Sequence, residues 1–325
     1  PQGSTLSPTL FLLYINDIIK TTTKSKVYTY ADDTTLVITA DSLTDLQQLA
    51  QSELNNLIYY FHANNLVPNP TKTNYSIFYP KNPTPIQLQV NDTILQRTSS
   101  AKLLGIYVQE NTKHHKTIHN IIKKLQPHIH SFKYATKILP TTTMRQLYYT
   151  HIYPHLTGNI TIWGTDNPSK TYIQPLIKIQ KKIIRIVNNK PPRTHTNPIM
   201  TKLKILNLTN LYILRVCVEM HPYIHPTKTK NQPEHNHLYE PITKIHDHNT
   251  RYAHNNHQFI PNTLNFSKTK TLRYNIDHLT QQYATIWNRL PAELRNTAPA
   301  AHSRPKPTTT YFSNKANNKP LTTKH

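Results

Sequence analysis

The chain has 325 residues, enough for one large or two ordinary domains, and its 38 Lys and Arg against 15 Asp and Glu give a formal charge of +23. That excess favours a polyanionic partner, nucleic acid ahead of an anionic membrane surface, because neutralising phosphates releases counterions. No apolar run reaches the roughly 18 residues of a membrane-spanning helix, and the lone Cys217 excludes an intrachain disulfide.

In chain order, Gln2-Gly3 reads as a turn, where glycine either serves the turn geometry alone or lets the backbone approach a ligand closely. Ser7-Pro8 then starts a predicted helix, an N-cap oxygen ahead of a proline at the first helical position. Leu10, Phe11, Tyr14, Ile15 and Ile18 form an apolar face expected in the core. The runs Lys26–Tyr30 and Thr34–Thr39 are rich in β-branched and aromatic residues, and the break between them suits a hairpin with Asp32 and Asp33 at its tip. An Asp-Asp pair alone is ordinary turn chemistry. Exposed on a tip, it also suits Mg²⁺, a hard cation that takes carboxylate oxygens and leaves room for substrate phosphates.

Ser42-Leu43-Thr44-Asp45 resembles a capping box, and Leu46, Leu49, Ala50, Leu54, Leu57, Ile58 and Phe61 follow at helical spacing. Lys72 comes after the polar break at Asn64, Asn65 and Pro68 and precedes the apolar run Tyr75–Tyr79. Residues 86–90 and 103–108 read as short strands, with Gly105 allowing a sharp bend in the second. The helical period then returns in three stripes: Ile118 to Phe132, Met144 to Ile152, and Ile173 to Val187, with Pro127 and Pro175 expected to shorten or bend the pattern. The third stripe carries Lys178, Lys181, Lys182 and Arg185, which reads either as a solvated basic face or as a track for a phosphate backbone. Asn188 to Pro192 reads as a linker, Leu203–Val218 as a helix, 221–262 as loops or disorder, Leu272–Leu290 as holding one more helix, and the stretch after 297 as a flexible tail.

Four glycines, against roughly 7% in an average chain, accompany abundant Thr, Asn, His, Pro, Lys and Gln, a pattern that reads as nucleotide bias. It weakens any metal argument from His114-His115, His128-x-His130, His235-x-His237 or His246-x-His248, and no paired Cys accompanies them.

The order of motifs decides between turn chemistry and catalysis. Pro1-Gln2-Gly3 through Asn16-Asp17, followed about a dozen residues later by Tyr30-Ala31-Asp32-Asp33, resembles the reverse transcriptases of non-LTR (LINE-type, jockey-like) retrotransposons. The segment Phe61 to Thr73, the turn Lys102-Leu103-Leu104-Gly105-Ile106, the stretch Leu147-Tyr148-Tyr149 through Trp163-Gly164, and Trp287-Asn288-Arg289-Leu290-Pro291 extend the resemblance along most of the chain.

The resemblance implies an α+β fold: a partial polymerase palm over 1–110, an antiparallel sheet backed by helices, then a helical thumb over 111–190 and a C-terminal extension over 191–325, part helical and part loop. It also implies RNA-directed DNA polymerase activity with two Mg²⁺ ions, or Mn²⁺, held by Asp32 and Asp33. Gln2 and Gly3 would shape the nucleotide and template pocket, with Lys72 as a triphosphate contact. Leu104 and Gly105 would form the primer grip, and Lys178, Lys181, Lys182 and Arg185 would track the duplex. The partners implied are an RNA template, a DNA primer and target DNA, and dNTP, with no membrane; the implied location is the nucleus. The family's first metal-binding Asp lies upstream of the Pro-Gln-Gly turn, so this chain is expected to be the C-terminal part of such an enzyme, truncated and inactive alone. A nucleic-acid-binding remnant is the rival reading. A group II intron maturase-like protein shares the acidic hairpin, but Trp163-Gly164 and Trp287-Asn288 argue against it.

Overall fold

The computed structural model describes residues 3–78, 84–111, 113–224, 239–241, 259–261 and 282–291. The fold is α+β, as expected. The chain divides into two compact units, Pro1–Leu103 with Val108–Asn111, and Leu104–Tyr107 with Thr112–His325.

The first unit opens with α1, Ser7–Tyr14. Ser7 is not the cap: it lies inside the helix, and Ser4 Oγ accepts its N–H at 3.2 Å. Leu10 to Tyr14 are apolar all round, so no stripe selects a face, and Leu10 and Tyr14 remain 61% and 48% exposed instead of entering the core. A 3₁₀ turn, Asn16–Lys20, follows. Its tighter winding brings Ile15 and Ile18 inward, and these are the residues of that predicted face that are buried.

Strands β1 (Lys26–Tyr30) and β2 (Asp33–Val37) pair antiparallel. Helix α2 (Leu43–Ala63) starts with the forward half of a capping box: Ser42 Oγ accepts the Asp45 N–H at 3.1 Å, and the Asp45 carboxylate accepts the Ser42 hydroxyl, Oγ to Oδ2 2.6 Å. Its apolar stripe packs on two sides. Ala50 and Ile58 join Ile77, Ile86, Leu88, Val90 and Leu95, while Leu57 and Tyr60 join Ile18, with Val27 of β1 against them. Burial of each Ile, Leu or Val side chain among these contributes about 1.5–3 kcal/mol. The side chain of Gln51 pairs with the backbone of Gln89 as a strand would, accepting its N–H and donating to its carbonyl, both at 2.9 Å.

The remaining strands are short: β3 (Asn74–Tyr75) pairs parallel with β6 (Gln96–Arg97), β4 (Gln89–Val90) pairs antiparallel with β5 (Thr93–Ile94), and β7 (Ser100–Leu103) pairs with β8 (Ile106–Gln109). Among the described residues every sheet has two strands, so of the antiparallel sheet implied by the resemblance there are short hairpin ladders, and the β3–β6 ladder is parallel. The predicted strand 103–108 is the hairpin β7–β8, with Gly105 in its turn instead of within a strand.

The second unit is helical. It contains α3 (His115–Ala135), α4 (Thr141–Leu147), a π turn (Tyr148–Ile152), α5 (Tyr153–Thr157), α6 (Ile160–Trp163), α7 (Gln174–Val187), α8 (Thr196–Leu203), α9 (Leu208–Ile224) and α10 (282–288). The three predicted stripes are α3, α4 with the π turn, and α7, and they share one core with α8, α9 and Trp287. Pro127 stands on the exposed side of α3 without ending it, and Pro175 occupies the first turn of α7, where its missing N–H costs nothing. Pro154 has no N–H for the carbonyl one turn back, and the widened π turn lies where that ladder must adjust.

The predicted helix Leu203–Val218 begins later, as α9 at Leu208, and Leu203 instead closes α8, which was not expected. Lys204, left-handed at φ 54, breaks α8 from α9, and Arg145 Nε and Tyr149 Oη donate to the Leu203 and Lys204 carbonyls at 2.6 and 2.8 Å. The buried Gln180 fastens the loop that follows: its Nε2 donates to Leu206 O and Tyr148 Oη, and its Oε1 accepts the Leu208 N–H. The short strands Tyr239–Pro241 (β9) and Phe259–Pro261 (β10) pair antiparallel within the stretch read as loops. Residues 221–224 of that stretch end α9, and the rest of it and the tail after 297 lie outside the described residues.

Candidate catalytic hairpin and nucleic-acid interface

The β1–β2 register pairs Tyr30 with Asp33, so the loop is the two residues Ala31 and Asp32. Ala31 adopts φ 52, a left-handed conformation of the kind tight two-residue hairpin loops use and one that costs an alanine roughly 1–2 kcal/mol. Strain of this kind is kept where the surrounding structure fixes it. Asp32 and Asp33 are both exposed. Tyr28 and Tyr30 share the face of Asp33 and are 58% and 66% exposed, whereas Val27 of the opposite face packs inward. The hairpin thus presents two adjacent carboxylates beside two aromatic rings.

A buried carboxylate that sequence reasoning missed anchors the approach to β1. Glu53, 2% exposed on α2, accepts Ser25 Oγ at 2.5 Å, the Thr23 and Lys24 N–H groups at 3.4 Å, and Thr23 Oγ1 at 3.3 Å. Burial pushes its carboxyl up, but the bonds from Ser25 and from the Thr23 and Lys24 amides outweigh that and hold it below the usual range. The signal was a Glu set within the apolar stripe, three residues after Ala50 and four before Leu57. The Tyr60 hydroxyl donates to Asp17 Oδ1 at 2.6 Å, and burial together with that bond raises it to about 12.

Gly3 adopts φ +89, and a Cβ there would touch nothing, so the turn conformation is what asks for glycine. Gln2 lies outside the described residues. Lys72 is exposed in the turn before β3, where Asn69 Oδ1 accepts the Thr71 and Lys72 N–H groups at 3.1 and 3.3 Å. No ion pair joins Lys72 to Asp32 or Asp33.

In the second unit, Leu104 (φ 46) and Gly105 (φ 89) form the hairpin turn that the resemblance implies as a primer grip. On α7, Lys178, Lys181 and Lys182 are exposed, opposite the buried Leu176, Gln180, Ile183 and Ile184. Arg185 is half-buried and spends Nε on the Thr194 carbonyl at 2.7 Å, tying down the segment after α7.

The donor set at the hairpin fits a hard divalent ion, since Mg²⁺ is commonly held by one or two carboxylates with water and substrate phosphates completing its shell. Among the described residues no group of three or more His, Cys, Asp or Glu is arranged to hold a metal. His128 lies 5.4 and 6.2 Å, ring centre to ring centre, from His151 and His155.

Residues 1–108, which contain the hairpin, match the family model of reverse transcriptase (RNA-dependent DNA polymerase). This segment belongs to the reverse transcriptase family. Similarity to curated proteins runs further along the chain. The "Probable RNA-directed DNA polymerase from transposon BS" of Drosophila melanogaster is 24% identical over 203 residues, covering 59% of this chain and 22% of that protein. The "Probable RNA-directed DNA polymerase from transposon X-element" of the same organism is 24% identical over 194 residues, covering 58% and 21%. The chain therefore spans about a fifth of the length of these relatives. No solved structure matches it at a comparable level. The reverse transcriptase match includes Gly3, Asp32, Asp33, Lys72 and the Leu104–Gly105 turn, and leaves the basic face of α7 beyond its end.

Proposed function

We propose that this chain is the C-terminal part of an RNA-directed DNA polymerase of a non-LTR retrotransposon, with its acidic hairpin at the site of nucleotidyl transfer. The observation that carries the reading is the β1–β2 tip, which exposes Asp32 and Asp33 inside a segment that matches reverse transcriptases.

In the reaction, a primer 3′-hydroxyl attacks the α-phosphorus of a dNTP, its proton leaves, and the bond to the pyrophosphate oxygen breaks. Two divalent ions, when bound, would lower the hydroxyl's pKa and stabilise the charge that develops on the attacking and leaving oxygens. Asp32 and Asp33 would hold them. Both carboxylates are exposed, so they need not be desolvated before substrate arrives, and Glu53 anchors Thr23 to Ser25 at the foot of β1, which limits the hairpin's freedom. Lys72 would either neutralise the triphosphate or give a proton to departing pyrophosphate. Lys178, Lys181 and Lys182 would contact the phosphates of the primer and template duplex.

The test is primer extension on an RNA template by the full-length protein that carries this chain, with Asp32→Asn and Asp33→Asn introduced together. Extension should fall by several orders of magnitude while the Kd for primer–template changes less than threefold. Persistent extension would remove the hairpin from the chemistry. A wild-type protein that binds the duplex and never extends it would support a nucleic-acid-binding remnant instead.

A further inference from the structure

The β7–β8 turn places both Leu104 and Gly105 in the left-handed region, the pattern of a two-residue type I′ loop. Glycine adopts that conformation freely, but leucine is strained there, and at 49% exposure its side chain gains little packing in return. The compensation comes from the backbone. Asn159 Nδ2 donates to Leu104 O at 3.0 Å. Thr117, 2% exposed on α3, accepts the Tyr107 N–H at 3.0 Å and donates to the Tyr107 carbonyl at 3.2 Å through the same hydroxyl. Lys116 Nζ stands 4.8 Å from the centre of the Tyr107 ring, and Ile106 packs on the helical core. Asn159 is itself held left-handed, at φ 51, between α5 and α6, where the Trp163 indole N–H bonds Gly158 O at 2.9 Å. The four tip residues are therefore fastened at both ends to the helical unit.

We infer that Asn159 is a positioning residue for nucleotidyl transfer: its amide fixes the strained turn that presents Leu104, and so sets where the primer terminus lies without adding to the affinity for the duplex. This rests on the reading of Leu104–Gly105 as the primer-contacting turn. The neighbouring residues support a positioning role, because Asn159 spends its amide on the tip's own carbonyl. Thr117 is the second holder, at the other end of the tip.

The experiment uses the whole chain with Asn159→Gly, which keeps the left-handed backbone and removes the donor, and Asn159→Asp, which keeps the shape and cannot donate. Two readouts separate the claims. The first is amide hydrogen exchange of the 103–109 peptide without nucleic acid. Loss of one hydrogen bond should speed it about 5- to 10-fold, with the melting temperature within about 2 °C of wild type. The second is photocrosslinking of a primer ending in 4-thiothymidine, annealed to an RNA template. Wild type should crosslink at 103–107, and both variants should lose most of that product at an unchanged Kd. Unchanged tip exchange in both variants overturns the inference, whatever the primer does. Altered exchange with no wild-type crosslink at the tip overturns the primer-contact reading, and with it the positioning role, and leaves only a structural clamp. A crosslink that survives undiminished in variants with a loosened tip also overturns the inference.

Discussion

Replacing Gly164 by alanine offers a sharp check on the packing of the helical unit. A Cβ at Gly164 would lie 2.4 Å from Ile160 O and 2.5 Å from Tyr212 Cδ2, about 1 Å inside ordinary contact on two sides. Neither neighbour yields readily: one is backbone of α6, and the other belongs to a side chain with no exposure whose hydroxyl donates to Gln282. Overpacking costs about 1–3 kcal/mol, and two unyielding contacts place Gly164→Ala near the top, at about 3 kcal/mol. Gly158→Ala is the control, since its Cβ would meet only Pro154 O at 3.2 Å, from a φ of −60° that alanine accepts. There the loss of unfolded-state freedom, about 0.4–1 kcal/mol, roughly offsets the close contact. The chain's two tryptophans, Trp163 and Trp287, are both buried in this core, so urea unfolding followed by tryptophan fluorescence reports on it. With a slope of about 1.5 kcal/mol per molar urea, the Gly164→Ala midpoint should fall by about 2 M and the Gly158→Ala midpoint by less than about 0.5 M. Equal shifts, or a Gly164→Ala midpoint within about 0.5 M of wild type, would show that Gly164 is not crowded.

Three further outcomes follow from the geometry. Glu53 has a folded pKa below its unfolded value of about 4.3. Its contribution is thus complete above that pH and lost as pH falls through the folded value, and in acid melts Glu53→Gln should flatten this limb of the stability profile. Gln180→Leu strands the Leu208 N–H, the Leu206 carbonyl and the Tyr148 hydroxyl, and should cost about 3 kcal/mol or more in urea unfolding; a change under about 1 kcal/mol would show that the network contributes little. Changing Lys178, Lys181 and Lys182 together to Gln should lower the slope of log Kd against log salt for an RNA–DNA duplex by about 2–3 if each meets a phosphate, whereas an unchanged slope would make that face merely solvated.

Much of the fold was legible because its signals are local. Ser42 with Asp45 started a helix, alternating Val, Tyr and Thr made the hairpin, and the Ile and Leu stripes set α3 and α7. Features that depend on contacts distant in sequence were not legible. Leu10 to Tyr14 are apolar on every side, so periodicity could not say that Ile15 and Ile18 enter the core while Leu10 does not. The αL break at Lys204 depends on Arg145 and Tyr149 from another helix, and the role of Gln180 depends on a loop about 26 residues later. At the candidate site the acidic pair could be read directly. Glu53 and Asn159, which hold neighbouring backbone in place, carry no motif, and only tertiary structure reveals them.

The central claim, that Asp32 and Asp33 are the metal-holding end of a polymerase site, is tested most directly by titrating the chain with Mn²⁺ and following paramagnetic broadening of its backbone amides. Broadening should centre on Tyr30 to Thr34 and vanish when both residues are changed to Asn. Broadening centred elsewhere, for example on His128, His151 and His155, or undiminished by the double substitution, would contradict it.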